Sequence, residues 1–203
     1  HFRLKKLGED LSGLIQKVYP GSRTRVCVDS SPILEKSVAW QSGLGFIGKN
    51  TLLIIHRCGS YFFLVEILTT VPLQHPIVEP MTDQCGACSL CMEACPTGAL
   101  EKPYHLDASK CLAYLTIEYK GDISPALGPE MRKCFLGCDR CQEACPFNKG
   151  ALAVNVAMPS TDEILRMGEE DFEKTFGKTS LARPGMEKIK SNIRAARGES
   201  LNL

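Results

Sequence analysis

The sequence has no run of the roughly 18 apolar residues that a membrane-spanning helix requires, and no basic-then-apolar segment at its start, so neither a span nor a secretion signal is expected. It has almost no net charge, formally +1, so bulk electrostatics select neither a nucleic acid nor a membrane surface. It has one tryptophan, four histidines and no P-loop spacing of glycines and lysine. Its nearest approach to a dinucleotide fingerprint is "GLGFIGKNT", residues 43–51. A working fingerprint follows a strand and opens a helix. These glycines follow a helical pattern and open a strand, which argues against a nicotinamide site. A soluble, cytoplasmic, monomeric chain is the expectation. The sequence starts at His1, in what reads as the interior of a helix, so an upstream portion of the natural protein is also expected.

What the sequence does have is cysteine, eleven in all. With no secretion signal a disulfide framework is disfavoured, because the cytosol keeps thiols reduced. Metal or cluster ligation is the stronger reading. Zinc sites built from C-x2-C units usually come as two separated pairs. Here "CGACSLCMEACP", residues 85–96, sets three cysteines at consecutive C-x2-C spacing, then a fourth after three more residues, then proline. That is the ferredoxin-type run for a [4Fe–4S] cluster, in which the fourth cysteine ligates the other cluster of a pair. "CDRCQEACP", residues 138–146, is a second run without its leading cysteine. The resulting assignment is Cys85, Cys88, Cys91 and Cys145 for one cluster, and Cys95, Cys138, Cys141 and one further cysteine for the other. Cys111, in the helical stretch "LDASKCLAYLTIEYKG", is the preferred further ligand, and Cys134 is the alternative. Cys27 and Cys58 lie in apolar, strand-like stretches and read as small buried hydrophobes. Clusters of this kind carry single electrons, which implies an acceptor site and an external electron donor.

Residues 26–70 read as strand, helix, glycine-rich turn and strands. "VCVDSSP" is the first strand, "ILEKSVAWQSGLG" the helix, and "NTLLIIHRCGSYFFLVEILTT" a pair of apolar strands turned at Cys58–Ser60. Lys49, Asn50 and Thr51 on the glycine-rich turn are suited to a phosphate-bearing or amide-rich ligand, with a plain connecting loop as the competing reading. "TDEILRMGEEDFEKTF" reads as two short acidic helices packing against the cluster domain. In "KTSLARPGMEKIKSNIRAAR", residues 178–197, Lys188, Lys190, Arg194 and Arg197 form a basic stretch able to follow a phosphate backbone, or else a solvated helical face. Arg132 and Lys133, close in sequence to the second cysteine run, are further candidates for nucleic-acid contact.

The ordered set "VDSSPILEKSVAWQSGLGFIGKNTLLI", "CGACSLCMEACPTGAL", "LDASKCLAYLTIEYKG" and "GCDRCQEACPFN" resembles the epoxyqueuosine reductase family, from about residue 24 to 150. The resemblance implies an α+β fold. It would comprise part of a nitroreductase-like or reductive-dehalogenase-like cobalamin domain at 1–80, a ferredoxin-like double [4Fe–4S] domain at 81–150, and a helical tail at 151–203 that contacts tRNA. It also implies the reaction, reduction of epoxyqueuosine to queuosine at the wobble position, with the tRNA anticodon stem-loop as partner and cobalamin as cofactor beside the clusters. By resemblance Asp29 is the proton donor, and its place after an apolar strand and before a turn suits that role, with an Asx-turn or helix cap at Pro32 as the competing reading. By the same resemblance, cobalamin contacts come from Asp29, Lys49, Asn50, Thr51, Tyr114, Thr116, Cys138 and Asp139. No histidine stands in an Asp-x-His-x-x-Gly setting, so cobalt without a histidine ligand is expected. The alternatives are a two-cluster electron carrier, a related reductase of a small organic substrate, and a zinc module.

Overall fold

The computed structural model describes residues 1–74, 78–132, 134–151 and 157–199. Two compact units emerge. One comprises His1–Gly48 and Leu52–Gly86, the other Lys49–Thr51 and Ala87–Leu203. This division is coarser than the three segments read from the sequence, and residues 157–199 belong to the unit that carries Cys88 to Cys145.

The first unit opens with α1, Phe2–Val18, which packs on a two-stranded antiparallel sheet of β1, Thr24–Cys27, and β4, Glu66–Thr69. The register sets Thr24 opposite Thr69 and Cys27 opposite Glu66. Gly8 permits the close approach of helix to sheet, since a Cβ there would lie 2.5 Å from Val26 Cγ1. Thr24 Oγ1 fixes the helix rotation, lying 2.6 Å from Ser12 Oγ and accepting from Gln16 Nε2 at 2.8 Å.

Helix α2, Glu35–Gln41, packs against the hairpin of β2, Phe46–Ile47, and β3, Leu53–Ile54. Ala39, Phe46, Leu53 and Ile54 are buried there. The glycine-rich stretch therefore contains a strand and serves the hairpin. A Cβ on Gly45 would lie 2.3 Å from the Ile54 carbonyl oxygen, so only glycine fits at that crossing. The expected apolar strand pair is also shorter than the sequence suggests. The turn at Cys58–Gly59 is present, closed by the Ile55 N–H donating to Gly59 O at 2.9 Å, but the next strand is β4, and its partner is β1.

The second unit is built on a repeat. Helix α3, Leu90–Glu93, and α6, Arg140–Glu143, pack against each other, each carrying the second cysteine of a C-x2-C pair, Cys91 or Cys141, and each followed by a Cys-Pro. Their backbones correspond bond for bond. Met92 N–H donates to Ser89 O at 2.9 Å and Gln142 N–H to Asp139 O at 2.8 Å, while Cys95 N–H donates to Met92 O at 3.2 Å and Cys145 N–H to Gln142 O at 3.0 Å. Between them lie α4, Leu112–Ile117, and α5, Gly128–Met131.

After the repeat come α7, Thr161–Arg166, with a Ser160–Glu163 capping box, then α8, Glu169–Phe176, and α9, Met186–Ala196. The two acidic helices expected from the sequence are α7 and α8. Helix α9 joins two apolar clusters. On one side Ile189 and Ile193 pack with Ile164, Phe172, Phe176 and Leu181, and partly buried Phe135 and Leu136 lie against them. On the other side Ala195 joins Leu112, Ile123 and Met131. Among the described residues, no helix is long and apolar enough to cross a membrane.

Candidate functional site

The packing of α3 on α6 brings cysteines from distant parts of the chain together. The Cys91 thiol feels the charges of Cys88 and Cys145, and its pKa is raised, chiefly by burial. Cys141 is pushed up to about 12, first by burial and then by the charges of Cys138, Cys111, Cys91 and Cys95. Burial also raises Cys138, which feels Cys134 and Cys111. Cys111 is thus a neighbour of both Cys138 and Cys141, and Cys134 also neighbours Cys138. Cys95 moves the other way. Burial tends to raise it, but backbone bonds around Leu100 and Thr97 outweigh that and lower its pKa.

Cys111 is not within a helix as its sequence suggests; it is the extended residue that opens α4, with φ −69° and ψ 120°. Cys85 belongs to the first unit, where its N–H donates to Asp83 Oδ1 at 2.7 Å. Among the described residues no three His, Cys, Asp or Glu side chains are close enough to hold a single metal ion. Half-buried free thiols fit iron–sulfur ligation, because the iron replaces the protons that burial otherwise holds on the sulfurs.

The entry to the second cysteine run is held by two buried polar side chains. Thr116 is fully buried; its hydroxyl donates to Leu112 O at 2.6 Å and accepts from the Gly137 N–H at 2.9 Å. The hydroxyl of Thr116, considered for cobalamin contact, is enclosed and places the residue before Cys138. Asn192, which the sequence reading did not single out, is also fully buried. Its Nδ2 donates to Thr116 O at 2.8 Å and to Phe135 O at 3.0 Å. Its signal was the stripe Ile189, Asn192, Ile193, Ala196, at the spacing of one helix face.

The other residues considered for cobalamin fall out as follows. Lys49 Nζ donates to Cys88 O at 2.9 Å, and Lys49 O accepts from the Tyr104 N–H at 3.0 Å. Asn50 is buried, and Thr51 has a left-handed backbone, φ 65°. Tyr114 is 40% exposed. Asp139 precedes α6, and its Oδ1 accepts from Gln142 Nε2 at 2.8 Å. In the first unit Asp29 lies on an exposed bend after β1 with φ 52°, and its N–H donates to Glu35 Oε1 at 2.8 Å. The following helix opens at Glu35, with Leu34 as its cap, so Asp29 does not cap a helix beginning at Pro32.

Three of the four tail cations considered for nucleic acid are engaged within the fold. Lys188 Nζ donates to Gly121 O and lies 5.3 Å from the Tyr119 ring centroid, and burial lowers its pKa. Lys190 Nζ donates to Met167 O at 2.7 Å. Arg197 donates to Thr161 Oγ1 at 2.6 Å and pairs with Asp162 at 2.7 Å. These bonds fasten α9 to its neighbours. Arg194 is half-buried, Arg132 is exposed with φ 52°, and Lys133 lies outside the described residues.

Residues 84–148 match the model of a 4Fe-4S double cluster binding domain, which defines the class of the second unit. Over 207 residues the chain is 39% identical to an epoxyqueuosine reductase of Escherichia coli, covering 98% of this chain and 53% of that protein. The fold is similar to an epoxyqueuosine reductase solved with a tRNA-Tyr epoxyqueuosine-modified tRNA stem loop, with TM-score 0.84 and 32% identity over 93% of this chain and 52% of that one. It is similar too to the Bacillus subtilis epoxyqueuosine reductase described with its aspartate catalytic loop swung out of the active site, with TM-score 0.85 and 29% identity over 97% of this chain and 54% of that one. The chain is thus a relative of the epoxyqueuosine reductases, and it spans about half the length of the curated relatives it matches.

Proposed function

We propose that the protein reduces epoxyqueuosine to queuosine at the wobble position of tRNA, as a cytoplasmic monomer supplied by an external electron donor. This chain would contribute two [4Fe–4S] clusters, the proton donor Asp29 and part of a cobalamin site. The observation that carries this reading is the α3–α6 repeat, which gathers the cysteine motifs in a chain similar to epoxyqueuosine reductases along 98% of its length. The ligand sets are Cys85, Cys88, Cys91 and Cys145, and Cys95, Cys111, Cys138 and Cys141; Cys111 is preferred to Cys134 because it neighbours both Cys138 and Cys141. When bound, the clusters supply single electrons and cobalamin a reducible cobalt able to engage the epoxide-bearing carbon.

Removing the epoxide oxygen as water requires protons, and Asp29 is the residue proposed to give one. Its support is its place on an exposed, left-handed bend at the end of β1, together with a relative whose catalytic aspartate is described as lying on a movable loop. Lys49, Asn50, Thr51, Tyr114, Cys138 and Asp139 are the proposed polar contacts to the corrin and its nucleotide tail. Arg132, Lys133 and Arg194 are the proposed phosphate contacts to the anticodon stem-loop.

Single-turnover conversion of epoxyqueuosine-bearing tRNA tests the reading, using a protein with the upstream portion of its relatives restored, reconstituted anaerobically with iron, sulfide and cobalamin and then pre-reduced. The parent protein is expected to form queuosine. Asp29→Asn is expected to keep both clusters and to lose about a hundredfold to ten-thousandfold in rate, the usual cost of removing a general acid. Conversion near the parent rate by Asp29→Asn would take Asp29 out of the mechanism, and no conversion by the reconstituted parent would remove the reaction itself.

A further inference from the structure

The two cysteine runs of the repeat differ in the charges they carry. Asp139 and Arg140 stand between Cys138 and Cys141, whereas the corresponding places between Cys88 and Cys91 hold Ser89 and Leu90. From Cys85 to Cys95 the one charged side chain is Glu93, an acid, and Glu143 takes the same place in the second run. The second run thus has a cation of its own on α6, Arg140, and the first has none. A cation reaches the first run from elsewhere in the chain. Lys49 lies 39 residues before Cys88, and its Nζ donates to Cys88 O at 2.9 Å. The turn that carries it is fastened there. Lys49–Thr51 belong with the second unit, Lys49 O accepts from the Tyr104 N–H at 3.0 Å, and the next residue, Asn50, is buried. Lys49 is itself half-buried.

We propose that Lys49 raises the reduction potential of the cluster assigned to Cys85, Cys88, Cys91 and Cys145, by holding a positive charge on the loop that ligates it. This rests on the reading of those cysteines as cluster ligands. Reduction moves one electron from the external donor to a group that four thiolates already make negative, and the potential of such a group depends on the charge and hydrogen bonding around it. A fixed cation beside it favours the form with the extra negative charge. Half-burial matters here, because water and salt screen such a charge less than a fully exposed one. So does the acceptor, since a carbonyl takes the hydrogen bond without cancelling the charge. The ammonium has three donors, so its bond to Cys88 is compatible with the corrin contact proposed for the same side chain.

Redox titration followed by EPR tests the role. The protein carries the restored upstream portion of its relatives, is loaded anaerobically with iron and sulfide, and is left without cobalamin so that cobalt adds no signal. Parent, Lys49→Met and Lys49→Arg are compared, each also in a Cys111→Ala background that removes the signal of the other cluster. Lys49→Met keeps the apolar stem and loses the charge. It is expected to make reduction of the Cys88 cluster about tenfold less favourable, a fall of about 59 mV in its one-electron midpoint, with the other midpoint unmoved. Lys49→Arg keeps the charge and is expected to stay close to the parent. Iron is counted in every sample. Should Lys49→Met fill incompletely, Lys49→Gln, neutral yet able to donate to the carbonyl, takes its place with the same expectation. Unmoved midpoints in the neutral variant would overturn the proposal. An equal fall in Lys49→Arg would overturn it too, by marking a loss of packing rather than of charge, as would a fall confined to the cluster that Cys111→Ala removes. A parent without cubane signals would remove the clusters and this role together; failure of the Lys49 role alone leaves both signals in the parent.

Discussion

Replacing Asn192 by leucine, which is close in size but has no polar atoms, tests how the second cysteine run is held. The side chain is fully buried in α9, and its amide satisfies two carbonyls, Thr116 O at 2.8 Å and Phe135 O at 3.0 Å. A buried acceptor stripped of its donor costs about 1–3 kcal/mol, so two cost about 2–6 kcal/mol. Asn192 Oδ1 is itself enclosed without a hydrogen-bond partner, and deleting it returns about 1–3 kcal/mol. The net loss is then about 1–3 kcal/mol. With a urea slope of about 1–3 kcal/mol per molar, the unfolding midpoint should fall by roughly 1 M. The assay is anaerobic urea unfolding of reconstituted protein, followed by far-ultraviolet circular dichroism and by cluster absorbance. Because Phe135 lies three residues before Cys138, bleaching of the cluster held by Cys138 and Cys141 should begin at lower urea than in the parent. A variant that unfolds within about 0.5 kcal/mol of the parent, with unchanged bleaching, would refute the reasoning.

Gly45→Ala should destabilise the β2–β3 hairpin by about 1–3 kcal/mol, because its Cβ meets a backbone oxygen that cannot move aside without shifting the strand; thermal unfolding measures it, and an unchanged midpoint would count against the crossing described. Lys188→Met with Lys190→Met should lower stability while leaving the salt dependence of tRNA binding unchanged, whereas Arg132→Gln should flatten that slope by about one unit. Binding titrations across salt concentrations decide this, and a flattened slope in the double lysine variant would return those side chains to the phosphate backbone.

The cysteine runs were legible because cluster ligation is written at short range. Spacing alone sets Cys88 and Cys91 a turn apart, and the repeated Glu-Ala-Cys-Pro ends both motifs alike. The helices α2, α7 and α8 were legible for similar reasons, as local apolar spacing with a clear start or stop. Pairing at long range was not. Nothing near Val26 says that its strand partners Ile67 rather than the nearer apolar residues after Asn50. The glycines at 43–48 resembled a ligand loop, yet Gly45 is demanded by a backbone crossing that only the folded hairpin creates. The partners of the basic tail were hidden in the same way. Lys188 and Gly121 are 67 residues apart, and a sequence shows an amine without showing the carbonyl it is spent on. Thr116 was noticed as a polar helix residue, but whether its hydroxyl faces a ligand or Gly137 is decided by packing.

Iron and acid-labile sulfide, quantified with EPR in anaerobically reconstituted parent, Cys111→Ala and Cys134→Ala chains, test the central claim most directly. The account predicts about eight iron and eight sulfide in the parent, as two cubanes require. It predicts about half that iron with one altered cluster signal in Cys111→Ala, and a parent-like count and spectrum in Cys134→Ala. About four iron in the parent, or zinc held tightly in place of iron, would contradict the double cluster; loss in Cys134→Ala with Cys111→Ala intact would contradict the ligand set.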